Sequence, residues 1–248
     1  MLAIIGGSGL YQLPGLAVTR RQVVRTPYGD PSSAITFGKI NGGKELAFLA
    51  RHGFGHTLAP HRINYRANMW ALKEIGCTAV LSVATVGAIS PEFGSGQLVV
   101  PDQIIDYTYG RAHTFFDGKD QSVVHVDMTW PYDAACRAAL LEAAQALGVE
   151  ARDGATYACT QGPRLETAAE IRRYGQDGCQ VVGMTAMPEA SLARELGLAY
   201  AALCVVVNDA AGVGVSTDVV SLESGQEKVD RAMEHVHDVI GKLSEAQM

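Results

Sequence analysis

The sequence predicts an α/β fold, one domain with a mixed, mostly parallel sheet flanked by helices. Near-continuous apolar runs recur along the chain and end in glycine-rich or polar turns, which is typical of strands buried on both faces. Apolar stripes at helical spacing lie between these runs. No internal repeat, low-complexity tract or linker divides the 248 residues, so one domain is expected to span residues 1–248.

The predicted elements alternate along the chain. Strands are predicted at residues 2–5, 46–49, 80–86, 98–105, 156–159, 181–184 and 201–207. A helix is expected between residue 167 and about Gly178. Pro188 and Glu189 indicate the start of another helix and Gly197 its end, since proline suits a first turn and glycine the position after the last. Two apolar stripes predict further helices: Cys136, Leu140, Ala143 and Leu147, then Val229, Met233, Val236, Ile240 and Leu243.

The composition narrows the classes of partner and compartment. A net charge of −6 argues against nucleic acid or an acidic membrane surface as the main partner. Five cysteines without a C-x-x-C pair indicate no disulfide framework, which favours a reducing, cytoplasmic location. The first apolar run is expected to be a strand and not a signal peptide, and no run is long enough to span a bilayer. His52, His56 and His61 are too few ligands to predict a metal site.

Several predicted strands end in residue types that can hold an anion. In GGSG at 6–9, glycines let backbone amides approach a phosphate and Ser8 adds a hydroxyl, although a plain tight turn is an equal alternative. Arg51 matches phosphate oxygens with its planar fork, and His52 can donate a hydrogen bond and, if protonated, a charge. A surface arginine beside a packed histidine is the alternative. Because ligands bind at the carboxyl ends of strands, these segments are expected to meet.

Two other segments carry polar side chains suited to a heterocyclic ring. Asn208 and Asp209 follow a β-branched run, and the asparagine amide offers both a donor and an acceptor. A simple turn is equally compatible with that pair. Glu166 precedes a predicted helix, where a carboxylate can accept ring N–H groups or merely stabilise the helix N-terminus.

In their order along the chain, five motifs resemble the trimeric purine nucleoside phosphorylase and methylthioadenosine phosphorylase family. They are GGSGL at 6–10, ARHGFGH at 50–56 with HRINYRAN at 61–68, QGPRLET at 161–167, GMTAMPEA at 183–190 and VVVND at 205–209. The resemblance extends from Gly6 to about Val220. It implies a homotrimer that binds a purine nucleoside and uses inorganic phosphate as co-substrate, with no other cofactor and no metal.

The resemblance also implies a role for each matching residue. Met184 is expected under the ribose, and His125 is expected to reach the 5′ end of a nucleoside bound by a neighbouring subunit. Asn208 and Glu166 at the base and His52 at the phosphate are expected to carry catalysis. The expected phosphate contacts are Ser8, Arg51, His52, Ala84, Thr85 and Thr185, and the nucleoside-binding set also includes Leu165, Asp209, Ala210, Thr217 and Val220.

Asn208 and Glu166 also favour one branch of this family. Members that act on 6-aminopurines resemble one another in having Asp and a small residue at these positions, whereas 6-oxopurine phosphorylases have Asn and Glu. A 6-oxo group needs a donor and N1–H needs an acceptor, and a mispaired buried polar group costs about 1–3 kcal/mol. Residues 213–220, which are largely small and apolar, match the segment that packs on the methylthio group in this family. Together with the Asn–Glu pair, the resemblance therefore implies phosphorolysis of S-methyl-5′-thioinosine. Two positions depart from relatives: Ala84, often Asn or Thr, and Thr217, whose hydroxyl suits a 5′-OH.

Other functions remain open from the sequence. A methylthioadenosine phosphorylase or a general 6-oxopurine nucleoside phosphorylase keeps the same fold. A non-catalytic nucleoside-binding protein is a different class, and the presence of Arg51, His52, Glu166 and Asn208 argues against it. A dinucleotide-dependent oxidoreductase is disfavoured because residues 6–9 lack the full G-x-G-x-x-G pattern.

Overall fold

The computed structural model of the chain describes residues 1–118, 122–221 and 225–245. These residues form an 11-stranded mixed sheet with helices on both faces. The strands are β1 (Leu2–Gly6), β2 (Ala17–Gln22), β3 (Ile35–Lys39), β4 (Leu46–Ala50), β5 (Ala79–Ala88), β6 (Leu98–Val100), β7 (Gln103–Asp106), β8 (Ala151–Asp153), β9 (Thr156–Cys159), β10 (Val181–Gly183) and β11 (Ala199–Asp209). The helices are α1 (Tyr65–Glu74), α2 (Ala134–Ala146), α3 (Ala168–Gln176), α4 (Ala186–Glu195) and α5 (Gln226–Glu245).

The long strand β5 lies at the centre of the sheet. On one edge β11 runs parallel to it along its whole length. On the other edge β5 first pairs in parallel with β1, up to Ser82, and then with the antiparallel strand β10, from Gly87. On this edge, residues 83–86 of β5 therefore have no partner strand, because the pairing with β1 ends before them and the pairing with β10 begins after them. Their backbone groups on that edge are therefore available to side chains or to a ligand.

Two apolar layers cover the sheet. On one face α1 and α4 pack through side chains such as Leu72 and Leu192, and on the other α2 and α5 pack through side chains such as Leu140 and Ile240. Each helix turns an apolar stripe towards the sheet, as the sequence periodicity predicts for α2 and α5. Within the described ranges, no helix is long and apolar enough to cross a membrane.

The predicted fold class is confirmed, but some elements differ from the prediction. The run at 98–105 is not one strand: Pro101, which lacks an N–H, separates β6, paired with β8 and β11, from β7, paired with β9. The sequence pattern also fails to predict β2, β3, β8 and α1. Strand β2 is exposed along its whole length, so it has no alternation of apolar and polar residues to reveal it.

Helix α4 begins differently from the prediction. It starts at Ala186, and Met187 and Pro188 interrupt its helical dihedral angles, so the regular turns begin near the predicted start at Pro188. Thr185 occupies the N-cap position, yet its side chain makes no capping hydrogen bond. Its hydroxyl therefore remains free for other contacts. Gly197, with φ of +62°, follows the end of the helix as predicted.

Candidate active site

A cavity of about 480 Å³ lies where β5 meets the segments that follow β1, β4, β9 and β10 and the end of β11. Strands that are distant in sequence converge here because neighbouring parallel strands end at one edge of the sheet. Most of the predicted site residues lie in its wall. They are Ser8, Arg51, His52, Ala84, Thr85, Leu165, Glu166, Met184, Thr185, Asn208, Ala210 and Val220.

Three hydroxyl residues line the cavity together with the loop at residues 6–9, called here the glycine loop. Ser8 follows β1, Thr85 lies in the part of β5 that has a partner strand on one edge only, and Thr185 occupies the N-cap position of α4. Gly7 allows this loop to approach β5 closely, because a Cβ at Gly7 would lie 2.7 Å from the Val83 carbonyl oxygen. Hydroxyl and backbone donors in this arrangement suit an oxyanion of the size of phosphate.

Arg51 lies buried behind the glycine loop in an ion pair with Glu189. Its Nε donates to Glu189 Oε1 at 2.5 Å and its Nη2 to Oε2 at 3.1 Å. Nη2 also donates to Ser82 Oγ at 2.6 Å, and Nη1 donates to the Val83 carbonyl at 2.9 Å. A guanidinium has five N–H donors, so these bonds leave one on Nη1, beside Gly7. Because both side chains of the pair are 0% exposed, direct contact between Arg51 and phosphate stays a prediction.

Glu189 is a structural residue of the site that the sequence does not reveal. The sequence pattern assigns it only to the first turn of a helix, and it lies 138 positions from Arg51. Tyr200 Oη also donates to Glu189 Oε2, at 3.0 Å, so the carboxylate joins Arg51 to β11. The buried pair therefore makes the floor of the cavity rigid and leaves little net charge there.

His52 is held as a neutral imidazole. Its Nδ1 lies 2.8 Å from the Leu58 carbonyl oxygen, which can only accept, so Nδ1 carries the proton. Burial, with the nearby charges of Arg51 and His56, lowers the pKa of His52 to about 4 despite that hydrogen bond. At neutral pH its Nε2 is consequently an acceptor. The sequence analysis expected His52 to donate a hydrogen bond to phosphate. In the structure its Nε2 can instead accept one from the P–OH group of monohydrogen phosphate.

His56 also lines the cavity, although the sequence gives no sign of it beyond its closeness to His52. Its φ of +57° is uncommon for a residue with a side chain. The His56 ring centroid lies 4.4 Å from that of His52 and 5.2 Å from that of Tyr11. These three rings form one continuous aromatic surface beside the cavity.

Asn208 and Glu166 offer polar atoms to the same cavity. A β-bulge between Val206 and Asn208 shifts the register of β11 against β5 and so changes the direction of the Asn208 side chain. Asn208 Nδ2 donates to the Asp209 carbonyl at 2.6 Å, which leaves its second N–H and Oδ1 for a ligand. Glu166 Oε1 accepts from Thr160 Oγ1 at 2.6 Å. The two side chains together can meet a ring that presents an acceptor and an N–H.

Three predicted site residues lie outside the wall of the cavity. Asp209 faces the following loop, where its Oδ2 accepts from the Val215 amide at 3.0 Å. Thr217 and His125 are both exposed. Contact of Asp209 and Thr217 with a bound nucleoside stays a prediction, as does the contact of His125 with a site in a neighbouring subunit.

Arg111 is a second structural residue that the sequence does not reveal. It is buried, and its guanidinium donates to the carbonyls of Thr160, Gln161 and Met184 at 3.1, 2.9 and 2.9 Å. These bonds join the end of β9 to the turn between β10 and α4. Arg111 thereby fixes the segment next to Glu166 relative to the segment that contains Thr185.

A second groove, of about 600 Å³, adjoins the cavity at Thr85. Helix α5 lines it with the apolar side chains of Val229 and Met233 and with acidic residues, and Gly9 and Leu10 line the other wall. Among the described residues, no group of three or more His, Cys, Asp or Glu side chains is arranged to hold a metal ion.

Comparison with known proteins identifies the family to which this fold and cavity belong. The chain belongs to the Phosphorylase superfamily, whose family profile matches residues 1–245. This match and the relatives below confirm the resemblance to nucleoside phosphorylases, whereas the homotrimer stays a prediction.

Named relatives and solved structures support this assignment. The chain is 49% identical to a probable S-methyl-5′-thioinosine phosphorylase of Pseudomonas syringae pv. tomato, over 98% of both chains. It is 50% identical to the 6-oxopurine nucleoside phosphorylase of Pyrococcus furiosus, over 86% of this chain and 80% of the relative. It superposes on a methylthioadenosine phosphorylase of Schistosoma mansoni in complex with adenine with a TM-score of 0.92 and 30% identity, over 98% of this chain and 90% of that chain.

Proposed function

We propose that the chain catalyses phosphorolysis of S-methyl-5′-thioinosine to hypoxanthine and 5-methylthio-ribose 1-phosphate. The proposal rests on one observation: three hydroxyl residues suited to an oxyanion line the same cavity as Asn208 and Glu166. The name of the relative from Pseudomonas syringae supports the choice of nucleoside. The proposal includes a homotrimer in the cytoplasm, where the five free cysteines stay reduced.

In the proposed reaction, inorganic phosphate binds beside the glycine loop. The hydroxyls of Ser8, Thr85 and Thr185 hold its oxygens, and His52 Nε2 accepts from its P–OH. This fixes one phosphate oxygen below C1′ of the nucleoside. As the glycosidic bond stretches, the ribosyl ring gains positive charge, which the phosphate stabilises before it attacks C1′. Met184 packs under the ribose.

The purine leaves with the electron pair of the broken bond. The free N–H of the Asn208 amide donates to the N7/O6 side of the ring, where negative charge develops. Glu166 accepts from N1–H, which hypoxanthine has and adenine lacks. Both side chains are fixed before the reaction, Asn208 by the bulge in β11 and Glu166 by Thr160, so little reorganisation is needed in the transition state.

The group at the 5′ position of the nucleoside distinguishes the proposed function from a second candidate. Val220 in the cavity and the apolar wall of the adjoining groove, Val229 and Met233, offer surface to a methylthio group. A general 6-oxopurine nucleoside phosphorylase is the second candidate, and the name of the relative from Pyrococcus furiosus favours it. The two candidates differ only in the preference for 5′-methylthio over 5′-hydroxyl.

The test is release of free base from methylthioinosine, methylthioadenosine and inosine, each with and without phosphate. The proposal expects phosphate-dependent release, fastest from methylthioinosine. Equal rates for inosine select the second candidate, and faster release of adenine than of hypoxanthine contradicts the assignment to 6-oxopurines.

An Asn208→Asp variant tests the base contact directly. A carboxylate repels O6 and attracts a 6-amino group, so the preference for hypoxanthine over adenine nucleosides is expected to fall by roughly 5- to 150-fold. An unchanged ratio means that Asn208 does not contact this side of the base.

A further inference from the structure

The two carboxylate oxygens of Glu166 differ in their hydrogen bonding. Glu166 lies in the loop between β9 and α3, between the large cavity and a polar pocket of about 80 Å³. Its Oε1 accepts from Thr160 Oγ1 at 2.6 Å. Within the described ranges, Glu166 makes no hydrogen bond through Oε2. The two oxygens of Glu166 therefore have different environments.

The single hydroxyl proton of Thr160 is directed at Glu166. Thr160 Oγ1 has two acceptors in reach, Glu166 Oε1 at 2.6 Å and the Gly183 carbonyl at 3.3 Å. The Gly183 carbonyl already accepts from the Thr160 backbone amide at 2.8 Å. Because the bond to the carboxylate is shorter and charge-assisted, the proton belongs to it.

Thr160 is itself held rigidly. Only 5% of its surface is exposed, and its carbonyl accepts from Arg111 Nη2 at 3.1 Å. Its amide bond to Gly183 ties it to β10. Glu166, in contrast, lies in a loop and is only partly buried. The position of the carboxylate therefore depends on the hydroxyl of Thr160 more than on its own backbone.

We propose that Thr160 is a positioning residue for base specificity: by binding Oε1 of Glu166 it leaves Oε2 in place to accept N1–H of a 6-oxopurine. This inference rests on the proposed function, because it assumes that a purine occupies the cavity. Thr160 acts through Glu166 and does not touch the substrate. Its removal frees the carboxylate to rotate, which weakens recognition of N1–H but leaves phosphate binding intact.

A pair of matched variants tests the proposal. Thr160→Val keeps the β-branched shape and removes the hydroxyl, whereas Thr160→Ser keeps the hydroxyl. With Thr160→Val, kcat/KM for methylthioinosine is expected to fall about tenfold, since a hydrogen bond to a charged group is lost. The value for methylthioadenosine and the KM for phosphate are expected to change less than about twofold. Thr160→Ser is expected to restore most of the activity, and melting temperatures report whether both variants fold.

A double-mutant cycle that combines Thr160→Val with Glu166→Gln and measures the base preference shows whether Thr160 acts through the carboxylate. If it does, adding Thr160→Val to Glu166→Gln has almost no further effect on the base preference. Equal losses on both nucleosides, no loss in Thr160→Val, or additive effects in the cycle each overturn the proposal.

The equilibrium affinities for hypoxanthine and adenine, measured with phosphate present, provide a readout that does not require turnover. Wild-type protein that binds hypoxanthine but shows no phosphorolysis contradicts the proposed function alone. A hypoxanthine-to-adenine affinity ratio that is the same in wild type and Thr160→Val contradicts the role of Thr160 alone.

Discussion

Glu189→Gln is the substitution whose effect the structure predicts most sharply. The variant keeps the shape of the side chain but removes the charge that balances Arg51, and both side chains are 0% exposed. In the variant the charge of Glu189 no longer raises the pKa of Arg51 and burial still lowers it. Arg51 nevertheless stays protonated, because the ordinary pKa of a guanidinium lies far above neutral pH. Breaking a buried pair from one side typically costs about 3–5 kcal/mol.

This loss is large compared with the stability of a typical domain, about 5–15 kcal/mol. For a chain of this size it corresponds to a fall in melting temperature of roughly 6–20 °C. Thermal and urea unfolding, followed by tryptophan fluorescence at fixed protein concentration, measures it. Glu45→Gln is the matched control, because the Arg20–Glu45 pair is exposed to 50% and 30% and is expected to contribute no more than about 1 kcal/mol.

The reasoning is refuted if Glu189→Gln loses no more stability than Glu45→Gln. A second readout concerns the anion: the unbalanced guanidinium behind the glycine loop should make added phosphate raise the melting temperature of Glu189→Gln more than that of the wild type. A smaller effect of phosphate on the variant would show that the charge of Arg51 does not reach the cavity.

Three further outcomes are expected. In an NMR titration without phosphate, His52 should keep its proton on Nδ1 and gain a second proton only near pH 4, and a midpoint near 6.5 contradicts this. Because the pKa of His52 is lowered in the folded protein, its contribution to the free energy of unfolding is complete above the ordinary pKa of 6.5 and is lost as the pH falls towards 4. Gly7→Ala should raise the KM for phosphate about tenfold or more, since the new Cβ would lie 2.7 Å from the Val83 carbonyl, and an unchanged KM argues against this loop as the phosphate site. Gly183→Ala should lower the free energy of unfolding by about 1–3 kcal/mol, because its Cβ would lie 2.0 Å from Tyr157 Oη inside the core; chemical denaturation with an unchanged midpoint rules this out.

Several features of the site were predictable because they depend on local order along the chain. Apolar runs followed by glycine or hydroxyl residues place Ser8 and Thr185 just after strands, and parallel strands bring such segments to one edge. The same reasoning misses β2, whose six residues are all exposed, because a strand without a buried face has no alternating pattern. It also joins β6 and β7, since apolar periodicity continues across Pro101 although the hydrogen-bond partners change.

The amino-acid sequence by itself determined the fold class, the buried strands whose ends surround the cavity and most residue types in the cavity, because these follow from periodicity and from the turn residues after each strand. Only the tertiary structure decided the charge balance, the protonation and the direction of those side chains. The carboxylate that balances Arg51 lies 138 positions away, the partner of His52 is a backbone carbonyl, and the direction of Asn208 depends on a bulge against β5. Charge, protonation and direction depend on groups that meet only when the chain is folded, and no local pattern records them.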